Sequence, residues 1–200
     1  MNLQAVTLHG QYARLEPLRS DHATALSEAV QDGELWRLWY TAIPTPAAMA
    51  SEVQRRLDLQ ASGSVLPFAV IHLPDERMAG MTTYMHIDRA NRRLEIGSTW
   101  YRQSLQRTAL NTECKRMLLG HAFEELDCIA VEFRTHWHNT ASRRGIERLG
   151  AKLDGVLRSH QMAANGSLRD TCVYSIIDNE WPTVRTHLDF ALRASTRHSL

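Results

Sequence analysis

Along residues 12–18, "YARLEPL", apolar and polar side chains alternate with the period of two expected of a half-buried strand. Ser20 and Asp21 then offer N-cap oxygens to a helix through about residue 31, and Thr45 followed by Pro46 starts a second helix in "IPTPAAMASEVQRRL". Segments 65–73, 79–87 and 92–101 read as three hairpin-linked strands, because "LPDER" and "DRANR" between them carry turn-forming Pro, Asp and Asn. From 112 to 126, Cys114, Met117, Leu118, Ala122 and Leu126 recur at three and four residues and so share one helical face. A strand, "IAVEFRT" at 129–135, follows closely, and "NTASRRGIERLG" at 139–150 reads as a helix closed by Gly150. Asn165-Gly166 separates two strand-like arms of a hairpin, "EWPTVRTHLDFAL" forms a last helix, and "RASTRHSL" is expected to fray. The sum is a mixed α/β (α+β) fold, one domain on a single sheet of about seven strands flanked by helices.

Composition narrows the partners. Two hundred residues with 44% hydrophobic and 22% charged content suit one globular domain. With 23 basic against 22 acidic residues, no global charge draws the chain to nucleic acid or an anionic membrane, although "YRQSLQR" and "SRRGIER" are locally basic. Apolar runs such as "VLPFAVI" are too short to span a bilayer, and "MNLQAVTLHG" lacks the basic flank and apolar core of a leader, so a cytoplasmic location is expected. Cys114, Cys128 and Cys172 are odd in number and far apart, which fits reduced, buried thiols. His136 and His138 in "THWHN" would share one face of a strand; without a third ligand nearby, a polar strand end is the plainer reading, and no metal is expected.

The stretch "QRTALNTECK" at 106–115 joins the "EIGSTWY" strand to the following helix, a place suited to an anion because backbone N–H groups and the helix dipole converge there. It contains no glycine. Asn111 is one of the few other residues that enters the left-handed region readily, Ala109 obstructs little, Thr108 and Thr112 offer hydroxyls, and Arg107 adds charge. The same letters also fit an ordinary polar connection in which Asn111 or Thr112 caps the helix.

The order of elements, together with "EIGSTW", "QRTALNTE", the Asn and Ser of "NTASRR", "ERLGAKLDGVLR" and "RDTCVYSI", resembles the GNAT acetyltransferases, in the branch of ribosomal-protein-alanine N-acetyltransferases. The likeness covers residues 10–182, leaving 183–200 as a C-terminal helix and tail. It implies acetyl-CoA as co-substrate, with its pantetheine arm in a splay between the fourth and fifth strands, "EIGSTWY" and "IAVEFRT". The family's pyrophosphate pattern (Gln or Arg, two variable residues, Gly, one variable residue, Gly or Ala) falls on Gln106, Arg107, Thr108, Ala109, Leu110 and Asn111, so backbone donors from 107 to 112 are the expected ligands. Asn139 matches the family's cofactor-contacting asparagine, Ser142 lies one turn on, and Arg143 or Arg144 is placed to reach a phosphate. Asn139 also has a simpler role as N-cap to the N–H of Ser142.

Acetyl transfer needs a neutral amine, a donor for the developing oxyanion and a proton for the departing thiolate. Glu95 is the expected base, acting through water, or else a solvated strand residue; His86 and Tyr84 stand in reserve. Backbone N–H groups near Trp100 and Tyr101 are the expected oxyanion donors. The tyrosine that many relatives use as acid is absent from "SRRGIERLG", which leaves Ser142. Trp36, Trp39 and Tyr40 either wall an acceptor pocket or form a buried aromatic cluster. The resemblance thus implies an N-acetyltransferase acting on a protein or peptide N-terminus or a small amine, with a homodimer by analogy. The alternative is a coenzyme-A-binding protein of the same fold without efficient catalysis.

Overall fold

The computed structural model describes residues 3–163 and 165–197. Its eight-stranded sheet has the order β1-β2-β3-β4-β5-β6-β8-β7, with strands β1 (Leu8–His9), β2 (Ala13–Pro17), β3 (Leu66–His72), β4 (Arg77–Asp88), β5 (Arg93–Tyr101), β6 (Ala130–His136), β7 (Lys152–Met162) and β8 (Leu168–Ile177). One strand more than expected is present, because β1 has two residues and is too short for any alternation to show. All pairings are antiparallel except β5 with β6, which the crossover through α3 (Ala109–Gly120) makes parallel. Strand β3 is buried along almost its whole length, which accounts for its unbroken apolar run.

Helices cover both faces. α1 (Ala23–Gln31) and α2 (Met49–Ala61) bury Leu26, Val30, Met49 and Val53 against Met81 and Trp100. On the other face α3, α4 (Thr140–Arg148) and α5 (Trp181–Arg197) bury Leu110, Cys114, Leu118, Ile146 and Leu188 against Tyr84, Val131 and Tyr174. Glu113 of α3 accepts the backbone N–H groups of Gln11, Tyr12 and Ala13 at 2.7, 2.7 and 2.8 Å, which ties the entry of β2 to this helix. Three charge-assisted bonds on one carboxylate satisfy donors that no strand reaches.

Local start signals held in part. Thr45 caps the second helical region, accepting the N–H of Ala48 at 3.3 Å, with Pro46 in its first turn. Ser20 and Asp21 do not cap the first; they lie inside a 3-10 turn, Ser20–His22, where His22 Nδ1 takes the N–H of Arg19 at 3.2 Å. α3 begins three residues before the expected position, because Thr108 is its cap. Gly150 closes α4 with φ +98°, its N–H on the carbonyl of Glu147. The β7–β8 connection contains Asn165 and Gly166, and the register pairs Met162 with Leu168. α5 begins at Trp181 and continues through Arg197, so most of the tail expected to fray is helical; residues 198–200 lie outside the described residues.

Among the described residues, no helix is long and apolar enough to cross a membrane. The three cysteines are buried and unpaired.

Candidate active site

Strands β5 and β6 pair only where Arg93, Leu94 and Glu95 face Ala130, Val131 and Glu132. Beyond Glu95 the two strands part, and the edge of β5 from Ile96 to Tyr101 is left without a strand partner on that side. A second irregularity bends β5 here. Thr83 opposes Gly97 and Met81 opposes Trp100, so Ser98 and Thr99 together face one residue, and Ser98 takes φ +47°. Such a bulge re-aims the strand and raises its local twist. The splay expected between the fourth and fifth predicted strands is this opening.

Glu95 stands at its vertex, 4% exposed. Its partner across the ladder is Met85, in step with Met81 and Thr83, so it lies on the face covered by α1 and α2. Burial pushes the Glu95 carboxyl above the ordinary carboxylate value, against the opposing pull of His86 and Arg134. With Glu95 ionised, His86 Nδ1 donates to Oε2 at 2.7 Å, while Arg134 Nε stands 3.5 Å from the same oxygen. His86 reaches this position because a bulge near the end of β4 gives it φ +48°, and its side chain is largely exposed. A cavity of about 170 Å³ lies between His86, Arg93, Glu95, Glu132 and Arg134. That is room for several waters at about 30 Å³ each.

Gly97 leaves the space that the carboxylate occupies. A Cβ there would come within 2.6 Å of Glu95 Oε1 and 2.8 Å of Met85 Sδ, closer than packed atoms approach.

The strand runs through a 3-10 turn, Gln103–Leu105, into the loop of 106–108. Gln106 Nε2 donates to the carbonyl of Tyr101 at 3.3 Å, and Thr108 Oγ1 both donates to the carbonyl of Leu105 at 2.7 Å and accepts the N–H of Leu110 at 3.3 Å. The left-handed residue is Arg107, φ +61°, and not Asn111. Asn111 lies in the first turn of α3, where Ala109 and Leu110 precede it and Thr112 follows, buried. The expectation that Asn111 would take a left-handed backbone is therefore corrected: capping by Thr108 draws 109–111 into the helix and moves the turn to Arg107. A non-glycine residue in that region costs on the order of 1 kcal/mol. The opening N–H groups of α3 have no carbonyl within the helix to bind. Gln106, Arg107 and Thr108 are exposed, so this end of the helix is open to a ligand.

Across the splay, Asn139 caps α4, its Oδ1 accepting the N–H of Ser142 at 3.1 Å. The cap occupies the amide oxygen and leaves the amide NH2 available. The Ser142 hydroxyl bonds to no other described residue. Arg143 stacks on the Trp137 ring, 4.2 Å from Cζ to the centroid, and donates to Tyr174 Oη at 3.1 Å. Arg144 is exposed. Trp36 packs partly buried against the α1–α2 core, whereas Trp39 is half exposed and sits with Tyr40 beside His136. Tyr84, fully buried, donates to the carbonyl of Leu118 on the opposite face from Glu95, away from the reserve role considered for it.

One charged group near the bulge gave no sequence signal. Lys115 of α3 is buried and donates from Nζ to Thr99 Oγ1 at 2.8 Å and weakly to Thr82 Oγ1 at 3.4 Å, with no carboxylate as partner. Burial lowers its pKa from 10.5 to about 8. The unfolded chain therefore holds more protons than the folded one between about pH 8 and 10.5, and stability attributable to this group rises with pH across that window. Lys115→Met is expected to raise the unfolding free energy at pH 7 by up to about 3 kcal/mol. The gain should shrink toward pH 10 in denaturant titrations; a gain that does not vary with pH would contradict this account.

Among the described residues, no group of three or more His, Cys, Asp or Glu side chains is placed to hold a metal ion.

The sequence and the fold are shared with known proteins. Residues 13–152 match the family described as "Acetyltransferase (GNAT) domain". The chain is 32% identical over 109 residues to YdaF of Bacillus subtilis, provisionally named a ribosomal N-acetyltransferase; the match covers 54% of this chain and 58% of YdaF. A GCN5-related N-acetyltransferase from Brucella melitensis superposes with a TM-score of 0.81 at 31% identity, covering 95% of this chain and 86% of that one. The ribosomal-protein-S5-alanine acetyltransferase of Vibrio fischeri shares the fold, with a TM-score of 0.72 at 14% identity over 88% of this chain and 98% of its own. A sheet that splays beside a helix N-terminus, matched over most of its length by this family's sequence pattern, places the chain among its members: it belongs to the GNAT family of N-acetyltransferases, and so to the acyltransferases.

Proposed function

We propose that the chain transfers the acetyl group of acetyl-CoA to a primary amine by direct attack on the thioester, with a protein or peptide N-terminus as the favoured acceptor. The observation that carries this reading is the placement of Glu95 at the vertex of the β5–β6 opening, on the face away from α3, while the exposed N-terminus of α3, where Thr108 takes the N–H of Leu110, follows the end of β5. Donor and acceptor would meet from opposite sides of the sheet. The ribosomal class in YdaF's name supports a protein acceptor.

The pyrophosphate of acetyl-CoA would take those backbone N–H groups from 107 to 112 that neither the Thr108 cap nor the helix uses, with Arg107 adding charge and Gln106 holding the loop on Tyr101. The NH2 of Asn139 suits an amide carbonyl of the pantetheine arm, since its oxygen is already committed to Ser142. Phosphate contact falls to Arg144 more readily than to Arg143, whose guanidinium is held by Trp137 and Tyr174.

The amine nitrogen's lone pair forms a C–N bond to the acetyl carbon, and negative charge gathers on the carbonyl oxygen. Unpaired backbone near Trp100 and Tyr101 would stabilise it. The amine's proton passes through water in the cavity to Glu95, whose raised pKa improves its match to neutral pH and whose partner His86 opens a route to solvent. Collapse breaks the C–S bond, and the thiolate leaves unaided or with a proton from Ser142.

Purified protein, acetyl-CoA and a panel of N-terminal peptides and small amines test this. Thiol release with a 42 Da gain on one or more acceptors by mass spectrometry is expected. Binding of acetyl-CoA with no transfer anywhere in the panel would leave only a coenzyme-A-binding protein.

A further inference from the structure

His136 ends β6 on the same face as Glu95, since Glu132 pairs with Glu95 and Arg134 and His136 follow in steps of two. It is 3% exposed. Its Nδ1 accepts the backbone N–H of His138 at 3.0 Å. A backbone N–H can only donate, so Nδ1 keeps its lone pair and the ring carries its proton on Nε2. That Nε2 is buried and has no hydrogen-bond partner.

A buried donor without a partner is uncommon and calls for an explanation. Burial, Arg169 and His138 all hold the ring below its ordinary pKa, so it is a neutral donor near pH 7. Trp39 packs against it, with centroids 5.1 Å apart and planes at 78°, and Tyr40 lies at 6.4 Å. Trp39 is 51% exposed and sits in the irregular stretch between α1 and α2, so a half-exposed side chain packs on the buried ring. A second orphan lies on the other strand of the splay: Trp100 Nε1, buried, on the same face and near the end of β5. Arg169 of β8, half buried, donates to Thr171, the register partner of His136, and among the described residues forms no ion pair with a carboxylate. Two buried donors without a partner, one on each strand of the splay, therefore lie on the face where an acceptor would enter.

We propose that His136 Nε2–H, beneath the aromatic wall of Trp39 and Tyr40, is a specificity-determining donor that binds an sp2 oxygen carried by the acceptor close to its amine. This rests on the acetyl-transfer reading above. The chemistry selects amines bearing a carbonyl or carboxylate over plain alkylamines, because only the former satisfy the donor. His136 is not the base here; its free nitrogen already holds a proton.

The test compares three acceptors, a short peptide amide, a free amino acid and an alkylamine, with wild type, His136→Phe and His136→Gln. Phe keeps a ring under Trp39 without the donor, and Gln restores an N–H. His136→Phe is expected to raise KM for the peptide amide by about 10- to 100-fold with kcat less affected, and to leave the alkylamine's kcat/KM and the acetyl-CoA Kd unchanged. His136→Gln should recover part of the loss. A preference of wild type for the free amino acid, lost in Arg169→Gln, would identify the oxygen as a carboxylate; otherwise it is a neutral carbonyl. Equal loss on all three acceptors, or no loss on the amide, overturns the proposal while transfer by wild type still stands. Absence of transfer by wild type overturns the acetyl-transfer reading itself. Should His136→Phe not fold, the imidazole 15N shifts of wild type decide: a protonated Nε2 that moves on adding the peptide amide supports the subsite, and an unmoved one rejects it.

Discussion

Replacing Glu95 by glutamine is expected to lower kcat/KM for acetyl transfer by about 100-fold or more, the range in which a positioned general base acts. The loss should come without loss of the fold. The buried carboxyl has a raised pKa, so the stability that its protonated form contributes is fully present below about pH 4.5 and is lost as pH rises through the folded-state value. At neutral pH glutamine removes a buried charge and keeps an oxygen to accept from His86, so the thermal midpoint should change little. The pH profile is the sharper measurement. Wild type should lose activity on the acid side at a pH above the ordinary carboxylate pKa, and that limb should vanish in the variant. A near-normal rate with the acid limb intact would remove Glu95 from the mechanism.

Ala109→Asp should weaken acetyl-CoA binding by about 100-fold, since juxtaposed like charges cost several kcal/mol. The position makes this more than a test of bulk. Ala109 is the first residue of α3, where an aspartate interacts favourably with the helix dipole and adds a few tenths of a kcal/mol to stability. The protein should therefore be slightly more stable and bind its co-substrate far less well. Calorimetry showing unchanged affinity would place the pyrophosphate elsewhere.

The sequence made the fold legible wherever an apolar run or stripe was bounded by turn or cap residues. The meander of β3, β4 and β5 and the apolar stripe of α3 are of this kind, and so are the Asn139 cap and the Gly150 stop, which depend on neighbours only a few residues away. What stayed hidden depended on distant partners or on departures from period. The bulges at His86 and Ser98 break the alternation that sequence reading assumes, yet they bring His86 to Glu95 and bend β5 away from β6. α3 starts before the position its sequence suggests because Asn111 and Thr112 themselves resemble helix caps, whereas the cap is Thr108 and the buried Leu110 already belongs to the first turn. For the same reason the left-handed backbone that Asn111 suggests belongs instead to Arg107. Lys115 reads in sequence as a surface residue, and only the fold shows its amine beneath Thr99. The tautomer of His136 follows from a turn that brings the His138 N–H back onto the ring, and no residue pattern announces such a bond.

The close approach of Glu95 Oε1 to the space above Gly97 has an evolutionary consequence. The two positions are coupled, since a side chain at 97 and the carboxylate of Glu95 in its present place compete for the same space, and one of Glu95 and Met85 would have to move. In lineages that keep the base in this position, glycine at 97 should be favoured, because any larger residue displaces the carboxylate or the Met85 thioether. In lineages that abandon it, 97 should fill with alanine or larger residues, so a descendant's loss of this chemistry would be written two residues away from the group that performed it.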